Sequence, residues 1–452
     1  MILKVRKSQL CGKVEIPASK SHTIRAVAIA ALASGTSYIR KPLISYDALS
    51  AVKCYGAMGA VINTDNDQCW VIVGNGGQVV APKDVIDVGN SGTTMRLATG
   101  SAALCRDLSK TIRLTGDEQI QSRPIAPLLT SLSDLGANAY SVKGNGKAPV
   151  EVRGRLRGGK TSINCFTSQY LSSLLLCTPL GDGDTEIDVP LLNEPDYVKI
   201  TCDWLDWQGI RYQNDSLRHL QVPGGQGFKA FDMAIPADFS SATFFMAAAA
   251  ILGADIEMTG LDFNDSQPDK AVARYLEDMG CPVTRVGRGC GAGGARVSCE
   301  GGCGPETVEE KTLRVVGKSL KGIEIDMNGT PDALPAMAVV GAFAEGETRL
   351  VNVPQARSKE TDRIACMAKE LSKMGADIEE LPDGLVIRKS KLHAARVDGH
   401  WDHRIVMALS LAGMAVEGET VIDTAEAMNV TFPNFVELMR SLGGELSVVS
   451  GQ

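Results

Sequence analysis

Long apolar runs are missing from this chain of 452 residues: the longest, Ala26 to Ala33 and Phe244 to Ala254, fall well short of the roughly 20 residues that cross a bilayer. No apolar stretch follows the charged N-terminal segment Met1 to Lys7 either, so no signal peptide is expected and a cytoplasmic location is. Aromatics make up only 5% of the residues, and 46 Lys+Arg against 53 Asp+Glu leave a net charge of −7. Nucleic-acid binding, which needs a basic face and stacking platforms, is therefore not expected. The 12 cysteines follow no framework spacing, so they read as small, mostly buried hydrophobes rather than disulfides. Cys281, Cys290, Cys299 and Cys303 lie in a Gly-rich stretch with neither CxxC nor a nearby His, which favours a hairpin loop over zinc. P-loop spacing is absent, as is a Gly-x-Gly-x-x-Gly with a following ribose-binding acid, so nucleotide binding is not indicated.

What is present is repetition. A helical segment ending in glycine and running into a short strand recurs around Gly59, Gly136, Gly209, Gly280, Gly375 and Gly443, at intervals of 68 to 95 residues. Each glycine stands where a helix C-terminus must turn left-handed. Between these glycines an Ala/Leu-rich helix, a turn and a β-like run recur, so each unit predicts helix, strand, loop, helix, strand. The long fourth interval is covered by an expected inserted loop or hairpin at residues 288–304. Six units group most simply as three and three, giving an α/β protein of two similar domains with a cleft between them.

Several motifs could serve that cleft. Ser19-Lys20-Ser21 with Arg25 opens an Ala-rich helix, where dipole, backbone N–H groups and cations together suit an anion. Capping with a surface Lys and Arg explains the same residues equally well. Gly89-Asn90-Ser91-Gly92-Thr93 with Arg96 permits close backbone approach and offers neutral donors, although Arg96 could equally serve internally. Arg123-Pro124 adds a cation, and Thr167-Ser168-Gln169 adds hydroxyls at a helix start. His22 has no obvious partner and reads as structural. The densest charge lies in Arg357 to Arg363, flanked by Asn328 to Asp332 and Asp402-His403-Arg404. Charged clusters at element starts favour a polyanion site with carboxylates kept for proton transfer.

Taken in order, Ser19-Lys20-Ser21, Gly89 to Thr93, Arg123-Pro124, Ser168-Gln169, Pro331-Asp332-Ala333, Lys359 to Arg363 and Asp402-His403-Arg404 closely resemble the 5-enolpyruvylshikimate-3-phosphate synthase family of enolpyruvyl transferases. The resemblance runs from Pro17 to Pro433. It implies two domains, each of three βαβαββ repeats about a pseudo-threefold axis, one spanning 20–236 and the other 1–19 with 237–452. It implies transfer of the enolpyruvyl group of phosphoenolpyruvate to the 5-hydroxyl of shikimate 3-phosphate, a step toward chorismate and the aromatic amino acids. It also implies a monomer with neither metal nor organic cofactor and only small-molecule partners.

By the same resemblance Lys20, Ser21, Arg25, Thr167, Ser168, Gln169, Tyr197, Asp332, Gln355 and Lys359 hold shikimate 3-phosphate, while Lys20, Asn90, Gly92, Arg123, Gln169, Arg363 and Arg404 hold phosphoenolpyruvate. Asp332 takes the hydroxyl proton; Glu360 and Lys20 protonate and deprotonate the methylene. Three positions depart from the family pattern. Val430 stands where a lysine is usual, acids occupy the loop Asn193 to Asp196 in place of Ser and Lys/Arg, and Thr167 replaces Ser. These departures leave open a related transferase with a different acceptor, or a non-catalytic ligand-binding homologue.

Overall fold

The computed structural model describes residues 1–286 and 312–449. The expected loop at 288–304, with Cys290, Cys299 and Cys303, lies outside the described residues; Cys281 is buried. Among the described residues are six four-stranded sheets, each built the same way. In the second, Ile86–Asp87 pairs in parallel with Thr111–Thr115, which pairs antiparallel with Val150–Arg153, and Asn138–Ser141 closes the edge. The parallel pair is joined through the helix Gly92–Ala102, and the helix Ala126–Asp134 precedes the hairpin, giving βαβαββ.

Each unit buries its first helix almost entirely. Phe239–Leu252 throughout, and Lys20–Leu32 from Ala26 onward, are apolar or small all round, so they are covered on every side. Runs such as Ala247 to Ala250 allow close approach to the neighbouring elements. The second helix is amphipathic: in Arg363–Lys373 the buried Ile364, Met367, Ala368 and Leu371 recur at helical spacing. A fully buried Leu or Ile such as Ile29 is worth about 1.5–3 kcal/mol relative to exposure. After each second helix the chain turns at the predicted glycine. Gly59, Gly136, Gly209, Gly280, Gly375 and Gly443 all have φ between 72° and 104°, where a Cβ is disfavoured.

Three strands return from afar. Asp232–Ala234 completes the sheet of Ser34–Arg40, Cys11–Glu15 pairs in parallel with Asp255–Thr259, and Ile2–Arg6 lies between Glu419–Asp423 and Glu445–Val449. Three sheets are therefore built from strands between 34 and 234, and three from strands 2–15 together with 255–449. The apolar cores divide in the same way, one running from Ile24 to Ile235 and the other combining Leu3 to Ile16 with Ala237 to Leu446. The chain passes between the two cores at residues 17–19 and 236–238, immediately before Lys20 and Phe239 open buried helices. No helix among the described residues is long and apolar enough to cross a membrane.

Candidate active site

The buried helices Lys20–Leu32, Gly92–Ala102, Gln169–Cys177, Leu334–Phe343 and His403–Met414 carry the motif residues at or next to their N-termini. Helix starts are set by Ser91, Asp238 and Asp402, whose side chains accept from Thr94, Ser241 and Arg404 N–H groups. Repetition of the βαβαββ unit therefore brings residues distant in sequence to one cleft.

At its centre is a network of buried ions. Arg363, 1% exposed, donates from Nη1 to Asp332 at 2.7 Å, from Nη2 to Glu360 at 2.5 Å and from Nε to Asp402 at 2.8 Å. Arg404 Nη2 lies 2.9 Å from the other oxygen of Asp332, and Lys359 Nζ lies 3.8 Å from Asp332. Arg123 crosses from the other half to Glu360 at 3.1 Å, and Lys20 Nζ sits 3.3 Å from Asp47. Burial alone would push the Asp332 carboxyl up, but Arg404, then Lys359 and Arg363, outweigh it and hold the group well below the usual carboxylate range. Glu360 is likewise held down against its burial by Arg123 and then Arg363. Burial drives the His403 imidazole down to about 3, so it is neutral. Both carboxylates are thus ionised at neutral pH.

The neutral contacts shape the rest. Asn90 Nδ2 donates to Asp117 and Gln119, and Gln169 Nε2 donates to Thr93 Oγ1 at 3.3 Å. A Cβ on Gly92 would lie 2.5 Å from Arg123 Nη1, so glycine there leaves room for the guanidinium. Gln355 Nε2 donates to the Asn328 carbonyl at 2.9 Å. Arg25 is buried and spends its donors on Thr201, Ser172 and the carbonyls of Ser21 and Tyr197. Arg96 donates to the carbonyls of Gly92 and Pro124, the internal role left open by its sequence. Ser21, Lys20, Tyr197, Asp332 and Arg404 line one cavity, together with Asp238, Asp269 and Thr431. Among the described residues, Arg123 Nε and Arg404 Nε are buried with no hydrogen-bond partner. Buried, under-satisfied guanidinium donors suit anionic ligands.

Sequence reasoning marked Asp402 within a motif and Glu194 within an acidic loop, but not the partners they take, and it passed over Asp47 and Asp269. Glu194 ion-pairs with Lys359, Asp47 with Lys20 and Asp402 with Arg363. His22, read as unpartnered, lies 3.1 Å from Asp265 of the other half and accepts from Trp204 Nε1 at 3.0 Å. Asp269 accepts from the Tyr197 hydroxyl at 2.7 Å, and that hydroxyl is 3.4 Å from Asp332. No local pattern marks these pairings, because each joins residues far apart along the chain.

Burial, and after it the charge of Asp332, raises the Asp269 carboxyl to about 6. A carboxyl raised in the folded state opposes folding once it ionises: the cost is absent below the unfolded pKa, grows through about pH 4 to 6 and is constant above. Asp269→Asn should therefore stabilise the protein at about pH 7.5 by on the order of 2–3 kcal/mol, the gain shrinking toward pH 4. Thermal unfolding across this range tests it; equal stability of the two proteins at pH 7.5 would contradict the assignment.

The sequence profile described as EPSP synthase (3-phosphoshikimate 1-carboxyvinyltransferase) matches residues 5–439. The chain belongs to the EPSP synthase family. It is 51% identical over 449 residues to the 3-phosphoshikimate 1-carboxyvinyltransferase of Ruminiclostridium cellulolyticum, covering 99% of this chain and 100% of that one. The corresponding protein of Acetivibrio thermocellus is 52% identical over 447 residues, with 99% of each covered. A solved EPSP synthase structure from Acinetobacter baumannii superposes with a TM-score of 0.80 at 27% identity, covering 99% of this chain and 100% of that one. The fold is accordingly the two-domain enolpyruvyl transferase fold of the EPSP synthases. Against the family pattern, Val430 ends the 3-10 turn Ala425–Val430 and adjoins Thr431 of the cavity wall.

Proposed function

We propose that this chain transfers the enolpyruvyl group of phosphoenolpyruvate to the 5-hydroxyl of shikimate 3-phosphate, releasing phosphate, with the interdomain cleft as its active site. The domains would be 20–236 and 1–19 with 237–452. The observation that carries the reading is the cluster of Lys20, Arg123, Lys359, Arg363 and Arg404 around Asp332 and Glu360. Two phosphates and a carboxylate need several cations, and these come from both halves of the chain.

In this reading Lys20, Asn90, Gly92, Arg123, Gln169, Arg363 and Arg404 hold phosphoenolpyruvate. Lys20, Ser21, Thr167, Ser168, Gln169, Tyr197, Asp332, Gln355 and Lys359 hold the acceptor. Arg25, with four of its five N–H donors committed, would act by fixing Ser21 and Tyr197. Asp332, held ionised, takes the proton of the acceptor hydroxyl as its oxygen bonds to the central carbon of the enolpyruvyl group. The methylene carbon gains a proton in that addition and loses one when phosphate departs. Glu360 and Lys20 carry these transfers. Substrate anions that draw Arg123 and Arg363 away from Glu360 would let its carboxyl rise toward the range of a proton donor. The enzyme would work as a cytoplasmic monomer without metal or organic cofactor.

Phosphate release from phosphoenolpyruvate, measured with and without shikimate 3-phosphate and with the product identified by mass, tests the proposal directly. Acceptor-dependent release with an enolpyruvyl adduct is expected; no release at saturating ligands would refute it. Glu360→Gln should lower kcat by about 10²–10⁴ while phosphoenolpyruvate still binds. Near-wild-type turnover would remove Glu360 from proton transfer.

A further inference from the structure

Glu194 sits where an acceptor phosphate would be held. Its carboxylate is buried, with the residue 1% exposed. Oε2 accepts from the Ser168 N–H at 3.1 Å, from Ser168 Oγ at 2.8 Å and from Thr167 Oγ1 at 3.3 Å, while Oε1 pairs with Lys359 Nζ from the other half. Two hydroxyls, a backbone N–H and an ammonium form a donor set suited to a phosphate. Here that set is satisfied by an anion of the chain itself.

The backbone reinforces the point. Glu194 has φ 57° and ψ 48°, a left-handed conformation that residues other than glycine seldom adopt, and Pro195 follows directly. Its own N–H donates to Asn328 Oδ1 at 3.3 Å, and Asn328 Nδ2 donates to Asn193 Oδ1 at 3.2 Å, so the loop is pinned from the opposite half. Strain of this kind persists only where surrounding contacts hold it.

We infer that Glu194 is a built-in competitor of the acceptor's phosphate: its carboxylate fills the Thr167–Ser168–Lys359 pocket, and the acceptor binds by displacing it. The inference rests on the proposed acceptor site at these residues. A phosphate and a carboxylate cannot share one small buried donor set, because like charges in contact repel strongly where solvent is excluded. Acceptor affinity is then reduced by the fraction of molecules in which Glu194 is seated. Displacement would also move Lys359 from an internal anion to a substrate anion, without leaving the lysine unpaired. Glu194 thus becomes a specificity-determining residue that disfavours weakly bound anions.

Calorimetric titrations of shikimate 3-phosphate, and separately of inorganic phosphate, into the wild-type protein, Glu194→Ser and Glu194→Gln test this. Glu194→Ser should lower Kd for both probes by at least about tenfold, and Glu194→Gln should shift both the same way by less. Were Glu194 only a latch between the halves, its loss would weaken binding, so the sign of the change decides. Unchanged or weaker binding in both variants would overturn the inference; if the serine variant does not fold, the isosteric glutamine variant decides alone. Wild-type turnover of phosphoenolpyruvate with shikimate 3-phosphate is measured alongside. Turnover without tightening removes the inference and leaves the proposed function standing. Tighter phosphate binding without wild-type turnover retains the occupied pocket and removes the acceptor assignment.

Discussion

Lys20→Met is expected to lower kcat/KM by about 10³-fold or more, the sum of a lost proton-transfer group and a lost charge in a site that must gather anions. Lys20 is the first residue of a buried helix, and its side chain is 16% exposed, facing the cavity shared with Tyr197, Asp332 and Arg404. Its partner Asp47 is buried, and burial already raises that carboxyl, with Lys20 the chief force opposing the rise. Methionine preserves length and packing but leaves Asp47 without its cation, so protonation of Asp47 should accompany the loss of rate. Lys20→Arg separates the contributions: a retained charge keeps phosphoenolpyruvate affinity, whereas guanidinium cannot exchange a proton at neutral pH. Steady-state kinetics of the two variants should show KM and kcat both damaged in the first and mainly kcat in the second. A Lys20→Arg enzyme with normal kcat would confine Lys20 to binding.

Arg363→Met should produce the largest loss of stability of any single change at the site. One guanidinium serves Asp332, Glu360 and Asp402, and its own charge is strongly favoured: burial disfavours it, but Asp402, Glu360 and Asp332 outweigh that cost. Removing one partner from a buried ionic network costs about 3–5 kcal/mol. Here three carboxylates are left at once, which places the effect at the upper end. A fall in Tm on the order of 10 °C is expected for a domain of this size, together with loss of turnover. The destabilisation should be smaller at low pH, where Asp332 and Glu360 are protonated, since these two groups, held below their usual range, contribute stability only above it. Thermal unfolding at several pH values checks both statements. Arg363→Lys should recover only part of the stability, because a single ammonium cannot reach three carboxylates with the geometry of a guanidinium fork. Full recovery would show that charge alone, and not the fork, organises the network.

The reach of sequence reasoning follows from the range of the interactions involved. The six glycines at helix ends, the capped helix starts and the alternation of buried and exposed residues depend on neighbours within a few positions, so they are legible in one dimension. The motifs around Lys20, Gly92, Ser168, Asp332, Arg363 and Arg404 were legible for the same reason: a small or charged residue at a helix start has few local purposes. Less visible were the roles these residues exchange once assembled. Arg25 carries the charge of a ligand-binding residue, yet it donates to Thr201, Ser172 and the Tyr197 carbonyl, brought in by another repeat, and to the Ser21 carbonyl of its own helix. Asp269 sits in the single helical turn Pro268–Lys270 and becomes notable only because Tyr197 and Asp332 reach it from elsewhere.

By itself the sequence determined the repeating unit, its six copies, the α/β class and the residues from which an anion site could be assembled, because helix periodicity, glycine turns and capping are local properties. The tertiary structure alone decided which charge meets which. Lys359 finds Glu194 across 165 residues, Ile2–Arg6 completes a sheet with Glu419–Asp423, and Arg123 finds Glu360 only when the two cores face each other. Such pairings depend on how the two halves are placed, and Coulomb interactions between buried groups depend on distance and on the exclusion of water, neither of which a linear pattern contains.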